Sequence, residues 1–324
     1  MFSVDNCRII VWGFTIPANY ATHSHIHEGF YRAANYLRPD SLWIDSKKQL
    51  PSDLSNTLFI TNHDVAMDLP ISDDCFYLIH GLNDHDKAKS KFSRFKHLSW
   101  NVYHDCSHSM ALGGAGPIPG AVDKESGYFI AEDTPYYPKE KRIDFRWATD
   151  LLPAEIEAHK PKCILGQDSN VINWVGTVWW VNESELEQFK KACKEDGKEF
   201  RHLGAGQNGI ISMQDNIKLV RESYMAPAIS GTHHITEGYA PCRIFKNISY
   251  GQMGITNSPR VNQIFGEKLI FHTDPYRLYW LAKERLASLN ISELHSLMDE
   301  VAQKHTYLNR LAAIKKAITL SLET

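Results

Sequence analysis

Three histidines alternate in Thr22-His23-Ser24-His25-Ile26-His27-Glu28, just after the apolar run Ile9 to Phe14 and a short loop. A neutral imidazole titrates near working pH, so one of them could accept a hydroxyl proton as a general base. The same HxHxH spacing could instead hold a metal ion, or the rings could cap and pack the start of a helix. His25 and His27 are the favoured bases and their spacing does not separate them. Glu28 either orients the imidazole or is itself the base. Asp64, in Asn62-His63-Asp64, and His80 close two further apolar runs and are expected as hydrogen-bonded polar groups, with Asp64 as an alternative base.

A second group lies near residue 240. Pro241 suits the first turn of a helix, Arg243 can fork onto phosphate oxygens, and Lys246 adds a point charge one turn later. A helix N-terminus supplies free N–H groups and the positive end of a dipole, which is what a diphosphate needs. The competing reading is a solvated amphipathic face. His233-His234 and Thr236-Glu237-Gly238 come just before, as a polar turn able to face a sugar and its phosphates. The run Gly113 to Gly120 lacks GxGxxG spacing and reads as a plain loop.

The stretch Pro241 to Asn257 resembles the donor-binding helix of GT-B glycosyltransferases: polar residues on a helix, a glycine, a short strand and a small polar turn. Arg243-x-x-Lys246-Asn247 looks like the Lys-x-x-Arg-Asn pattern of α1,3-fucosyltransferases, although Cys242 stands where those families carry a glutamate. His305-Thr306-Tyr307-x-x-Arg310 is similar to the HTYxxR signature closing many CgeB-like bacterial glycosyltransferases. With Asn257-Ser258-Pro259-x-Val261 and Phe265-Gly266, the resemblance covers roughly 240–320; over the N-terminal half it is architectural only.

The resemblance implies two Rossmann-like domains facing a central cleft, with a closing C-terminal helix. It implies transfer of a sugar from a UDP- or GDP-linked donor to a glycan or other hydroxyl acceptor, with no metal and no further cofactor. His234, Glu237, Pro241, Arg243, Lys246, Asn247, Thr256 and Asn257 would contact the donor. A histidine of the first loop is the base in inverting GT-B enzymes such as plant glucosyltransferases. Other readings are a nucleotide-sugar epimerase of the same fold, a two-lobed binding protein, and a metal-dependent hydrolase built on the HxHxH loop.

The elements that must position these groups read as two α/β series. Strands are expected at 9–14, 41–45, 57–61, 76–80 and 100–103, with a helix over 25–37. The segment 155–170, with Pro161 and Gly166, reads as the interdomain linker, giving a sugar-acceptor domain 1–160 and a donor domain 161–324. Beyond it, strands are expected at 173–180, 199–203, 254–256 and 268–271. Helices follow at 184–196, with Ser184 and Glu187 as a capping box, at 212–222, at 243–250 ending on Gly251, and in three closing runs near 275–289, 292–304 and 306–322. Tyr136-Tyr137 and Trp179-Trp180 read as core, with stacking on a sugar or base as the sharper alternative.

The 324 residues favour two domains, and 43% hydrophobic content supports sizeable cores. A net charge of −3 argues against a nucleic-acid footprint, so anionic ligands must be held by a few local cations and amides. Six cysteines without a CxxC pair read as reduced thiols of a cytoplasmic protein. No signal-like or membrane-spanning run is read, and peripheral membrane contact stays open.

Overall fold

A computed structural model describes residues 2–102, 127–131, 133–163, 169–178, 182–204 and 209–323. These fall into two compact units. The first draws on Met1–His104, Pro117–Arg146 and Tyr307–Thr324, and the second takes in Trp147–Thr306. The Gly113 to Gly120 loop, Trp179-Trp180 and the expected strand end at residue 103 lie outside the described residues.

The first unit is an α/β layer structure. Its strands are β1 (Arg8–Trp12), β2 (Leu42–Ile44), β3 (Thr57–Asn62), β4 (Cys75–His80), β5 (His97–Asn101), β6 (Tyr128–Ala131), β7 (Thr134–Tyr137) and β8 (Arg142–Asp144). They form one sheet in the order β2-β1-β3-β4-β5-β8-β7-β6, parallel from β2 through β8 and antiparallel beyond. Every residue of β3, and all but the last of β4, is buried. That is why these runs read as continuous apolar segments rather than alternating ones: both faces of a parallel sheet are covered. Helix α1 (Ser24–Leu37) turns Ile26, Phe30, Ala33 and Ala34 inward; α2 (His63–Ala66) and α3 (Asp86–Phe92) are short. One sheet face packs Ile10, Trp12, Phe59, Tyr77 and Phe92 together.

The hairpin β6–β7 and strand β8 lie where no strand is expected from the sequence. Tyr136 and Tyr137 are buried there, with the Arg142 guanidinium 4.3 Å from the Tyr137 ring centre. The two tyrosines are therefore packing groups. The chain's last helix, Tyr307–Glu323, belongs to this unit and packs on α1. The Tyr307 ring sits on Phe30, at 4.6 Å between ring centres, and over Gly29, where any side chain would collide with it. Arg310 is buried and gives its Nε–H to the Arg146 carbonyl at 2.7 Å.

The second unit opens with α4 (Pro153–His159), whose Pro153 occupies the first turn and whose Glu155 carboxylate accepts from the Leu152 amide at 2.8 Å. Ile156 is wholly buried among the unit's core residues. The segment expected as a linker thus begins as a helix of this unit; Pro161 and its polar neighbours gave the impression of a connection. Next come β9 (Val171–Val175), α5 (Glu183–Glu195), β10 (Glu199–Leu203) and α6 (Met213–Arg221). Helix α5 starts at Glu183 with Asn182 in the cap position, rather than on Ser184. Ser212 does cap α6, accepting from the Asp215 amide.

Then follow β11 (Pro227–Ala228), α7 (Thr232–Thr236), α8 (Cys242–Tyr250), β12 (Ile255–Thr256), α9 (Pro259–Ile264), β13 (Ile270–Phe271), α10 (Pro275–Ser288) and α11 (Ile291–Lys304). Strands β9 and β10 pair in parallel, as do β11, β12 and β13. Trp174, Phe189, Phe245 and Tyr279 anchor the core. Among the described residues no helix is long and apolar enough to cross a membrane, and the described cysteines are free thiols.

Candidate functional site

In the first unit the strand order 2-1-3-4-5 reverses direction between β1 and β3. In open parallel sheets such a reversal leaves a crevice beyond the strands' C-terminal ends, where ligands bind. Asn62 ends β3 and His80 ends β4, while His23 and His27 come from the start of α1. The Asn62 side-chain nitrogen lies 3.1 Å from His23 Nε2 and 3.2 Å from His80 Nδ1. His27 Nδ1 lies 2.9 Å from the Gly13 carbonyl, which also accepts from Trp43 Nε1 at 2.9 Å. The Phe14 ring stands 5.7 Å from His23 and 5.3 Å from His27, and Trp100 lies 4.3 Å from His80, all between ring centres. His63 stacks on His85 at 3.4 Å and meets the Asp64 carboxylate at 3.0 Å.

Burial keeps His23, His27 and His80 neutral. It pushes the His27 pKa down to about 3, against the opposing pull of the Gly13 carbonyl. It takes His23 down to about 4, against the opposing pull of the Asp64 carboxylate and with a smaller push from His63. His80 falls well below its ordinary value through burial and then through its histidine neighbours, His23 first. The edge therefore offers uncharged hydrogen-bonding groups beside aromatic rings at neutral pH.

Of the four residues expected to be catalytic, only His27 lies inside this group. It is 0% exposed, and its Nε2 has no partner. His25 faces Tyr20 and Glu28 instead, with Nε2 3.4 Å from the Tyr20 hydroxyl and Nδ1 3.7 Å from the Glu28 carboxylate. Asp64 is largely exposed at the rim. His23 and Asn62 were not singled out as site residues. Asn62 reads from the sequence as the polar end of an apolar strand, but its contacts with rings 39 and 18 residues away carry no local signal.

Low folded-state pKa values have a stability consequence. Unfolded histidine protonates near pH 6.5, so the unfolded chain binds more protons as the pH falls below that value. The stabilisation is fully present above about pH 6.5 and is lost as the pH drops toward the folded values near 4 and 3. For His27 alone the loss at pH 5 is about 2 kcal/mol. Urea midpoints should therefore fall between pH 7 and pH 5, and the fall should be smaller in His27→Gln. Equal slopes in the two proteins would show that His27 is not buried as a neutral ring.

In the second unit Arg243 lies in the first turn of α8, beyond the C-terminal end of β9. Its guanidinium stacks 3.7 Å from the Trp174 ring centre and donates Nε–H and Nη2–H to the Val175 carbonyl at 3.3 and 3.2 Å. Gly176, with φ of +139°, leaves the space that the guanidinium fills. Among the described residues no carboxylate pairs with Arg243, and burial lowers its pKa to about 10. His234 and Tyr239 lie close enough to interact electrostatically with it. Pro241 takes the cap position, the first turn of α8 holds no acidic residue, and Glu237 ends α7.

The other residues expected around the donor serve the interior. Lys246 Nζ lies 2.7 Å from Asp150, with both side chains buried, and the Tyr250 hydroxyl donates to the same carboxylate at 2.7 Å. Asn247 donates to the Ala226 carbonyl at 2.8 Å and Thr256 to that of Ala228 at 3.3 Å. Asn257 bridges both backbone groups of Ser230, at 2.8 and 2.7 Å. His305 packs against Phe245 and Phe265. Much of the motif-like pattern over 241–257 and 305–310 thus builds the scaffold, and Arg243 is what it presents. Among the described residues no group of three or more histidine, cysteine or carboxylate side chains is placed to hold a metal ion. In comparisons with known proteins, the sequence matches no family model and no curated protein.

Proposed function

We propose that this chain is a glycosyltransferase of the two-domain GT-B type. It would take a sugar from a nucleoside-diphosphate donor and pass it to a hydroxyl group. The observation that carries the reading is Arg243: a guanidinium stacked on Trp174 at a helix N-terminus and a parallel strand end, with no carboxylate among the described residues to balance it. Arg243 is half-buried, and partly withdrawing a cation from water without a counter-charge has a cost that a diphosphate would relieve. The free N–H groups of the first turn of α8 would add to its binding. As the bond to the sugar breaks, the same cation would stabilise the charge growing on the leaving diphosphate. The neutral imidazole edge of the first unit suits an uncharged, hydroxyl-bearing sugar acceptor.

Arg243→Ala is expected to weaken UDP or GDP binding by roughly 10- to 150-fold, since a charge-assisted hydrogen bond contributes about 1.5–3 kcal/mol. Titration calorimetry on the two proteins measures this directly, and unchanged affinity would remove Arg243 from the donor site. With a cation in place of a metal, sugar transfer should survive EDTA. Complete loss with EDTA, restored by manganese, would point to a metal-bridged diphosphate instead.

A further inference from the structure

Asn62 is the last residue of β3 and the cap of α2. Its Oδ1 accepts from the Asp64 amide at 2.8 Å. A backbone N–H can only donate, so this bond settles which way the side-chain amide points, and its nitrogen faces the two rings. An amide nitrogen can also only donate. Both ring nitrogens that it meets, His23 Nε2 and His80 Nδ1, must therefore accept. In the neutral rings this puts the proton of His23 on Nδ1 and that of His80 on Nε2. The same reasoning puts the proton of His27 on Nδ1, because the Gly13 carbonyl opposite it can only accept.

We infer that Asn62 is a positioning residue that locks His23 and His80 in defined, opposite neutral tautomers and so sets the pattern of donors and acceptors along the C-terminal edge of the first unit's sheet. Its use in catalysis rests on the reading of that edge as the sugar-acceptor site; the tautomer lock does not. The lock ties loop to strand, since one amide group spans the start of α1 and the ends of β3 and β4. Protonating either ring at the nitrogen facing Asn62 sets donor against donor. Among the described residues the titratable groups around the network are His27 from α1, His63 and Asp64 from α2, and His85, whose ring stacks on His63.

Asn62→Asp is the decisive variant. It keeps the capping oxygen and replaces the shared donor with a carboxylate oxygen, so both rings then gain by carrying a proton toward residue 62. Nitrogen-resolved NMR of the imidazoles at pH 7 should find His23 protonated on Nδ1 and His80 on Nε2 in the wild type. In the variant the titration midpoints of both rings should rise by about one unit or more, as beside any new carboxylate. A wild-type spectrum with either tautomer reversed would overturn the inference even if the variant failed to fold. Unmoved midpoints in a folded variant would also overturn it, leaving Asn62 a cap and nothing more. Where sugar transfer is measurable, the acid side of the variant's pH–rate profile should shift to higher pH. Absence of transfer altogether, with the predicted tautomers present, would count against the transferase reading and not against the lock.

Discussion

Lys246→Ala should destabilise the second unit by about 3–5 kcal/mol, the usual cost of removing one partner from a buried ion pair. The ammonium meets Asp150 at 2.7 Å with both side chains almost wholly out of water, and the Tyr250 hydroxyl shares the same carboxylate. Without Lys246, Asp150 keeps its charge in a site that offers much less compensation, or takes up a proton to lose it. Asp150→Asn should do less harm than Asp150→Ala, because an amide can still accept from Tyr250. Denaturant unfolding at pH 7 measures the change. Nucleotide affinity of the protein that remains folded should stay close to wild type, because Lys246 points into the unit's interior. A variant as stable as wild type but weakened in nucleotide binding would mean that Lys246 serves the donor after all.

His27→Ala should reduce sugar transfer by roughly 100- to 10,000-fold, the span usual for loss of a general base. Its Nδ1–H is committed to the Gly13 carbonyl, and its Nε2 is a buried lone pair without a partner. That leaves Nε2 as the open acceptor toward a hydroxyl. Burial, which pushes its pKa down to about 3, keeps it unprotonated but also makes it a weak base, so its role as base requires a bound acceptor to offset the burial. The acid limb of turnover should therefore follow acid unfolding rather than a titration near pH 6.5. His25→Ala should leave turnover close to wild type, because that ring faces Tyr20 and Glu28. Steady-state rates and melting temperatures for both variants separate catalysis from packing. Full activity in a folded His27→Ala would end its role as base, and loss in His25→Ala alone would move that role to the neighbouring ring.

Much of the architecture was legible because parallel strands buried on both faces leave unbroken apolar runs. Thr57 to Thr61 and Phe76 to His80 fall on strands of the large sheet, and so does Ile9 to Trp12 of the run expected to reach Phe14. Local punctuation also read correctly: Ser212 caps its helix, and Gly251 follows the end of α8 in a left-handed conformation. The start of the stretch 155–170 reads as a linker because of Pro161 and its polar neighbours, while the burial of Ile156, in the helix Pro153–His159, is a tertiary fact. The hairpin at 128–137 carries Pro135 on the strand nearest its turn, which hid its strand character.

The site was harder to read than the fold. Charge and position marked Arg243 and Lys246 as equals, yet one turn of helix carries the first to a strand end and the second to Asp150, 96 residues earlier in the chain. Nothing local to Asp150 announces that pairing. Similarly, the alternation His23, His25, His27 does not show which rings turn toward the sheet edge. That depends on the loop from Gly13 and on Asn62, which belong to other elements.

The central claim, that a nucleoside diphosphate sugar is bound through Arg243, is tested most directly by thermal unfolding of wild type and Arg243→Ala in the presence of a panel of UDP- and GDP-sugars. At about 100 times its dissociation constant a ligand adds about 2.7 kcal/mol to stability. At least one nucleotide sugar should raise the wild-type melting temperature accordingly, and at the same concentration should give Arg243→Ala a much smaller rise. No rise with any member of the panel, or an equal rise in both proteins, would contradict the account.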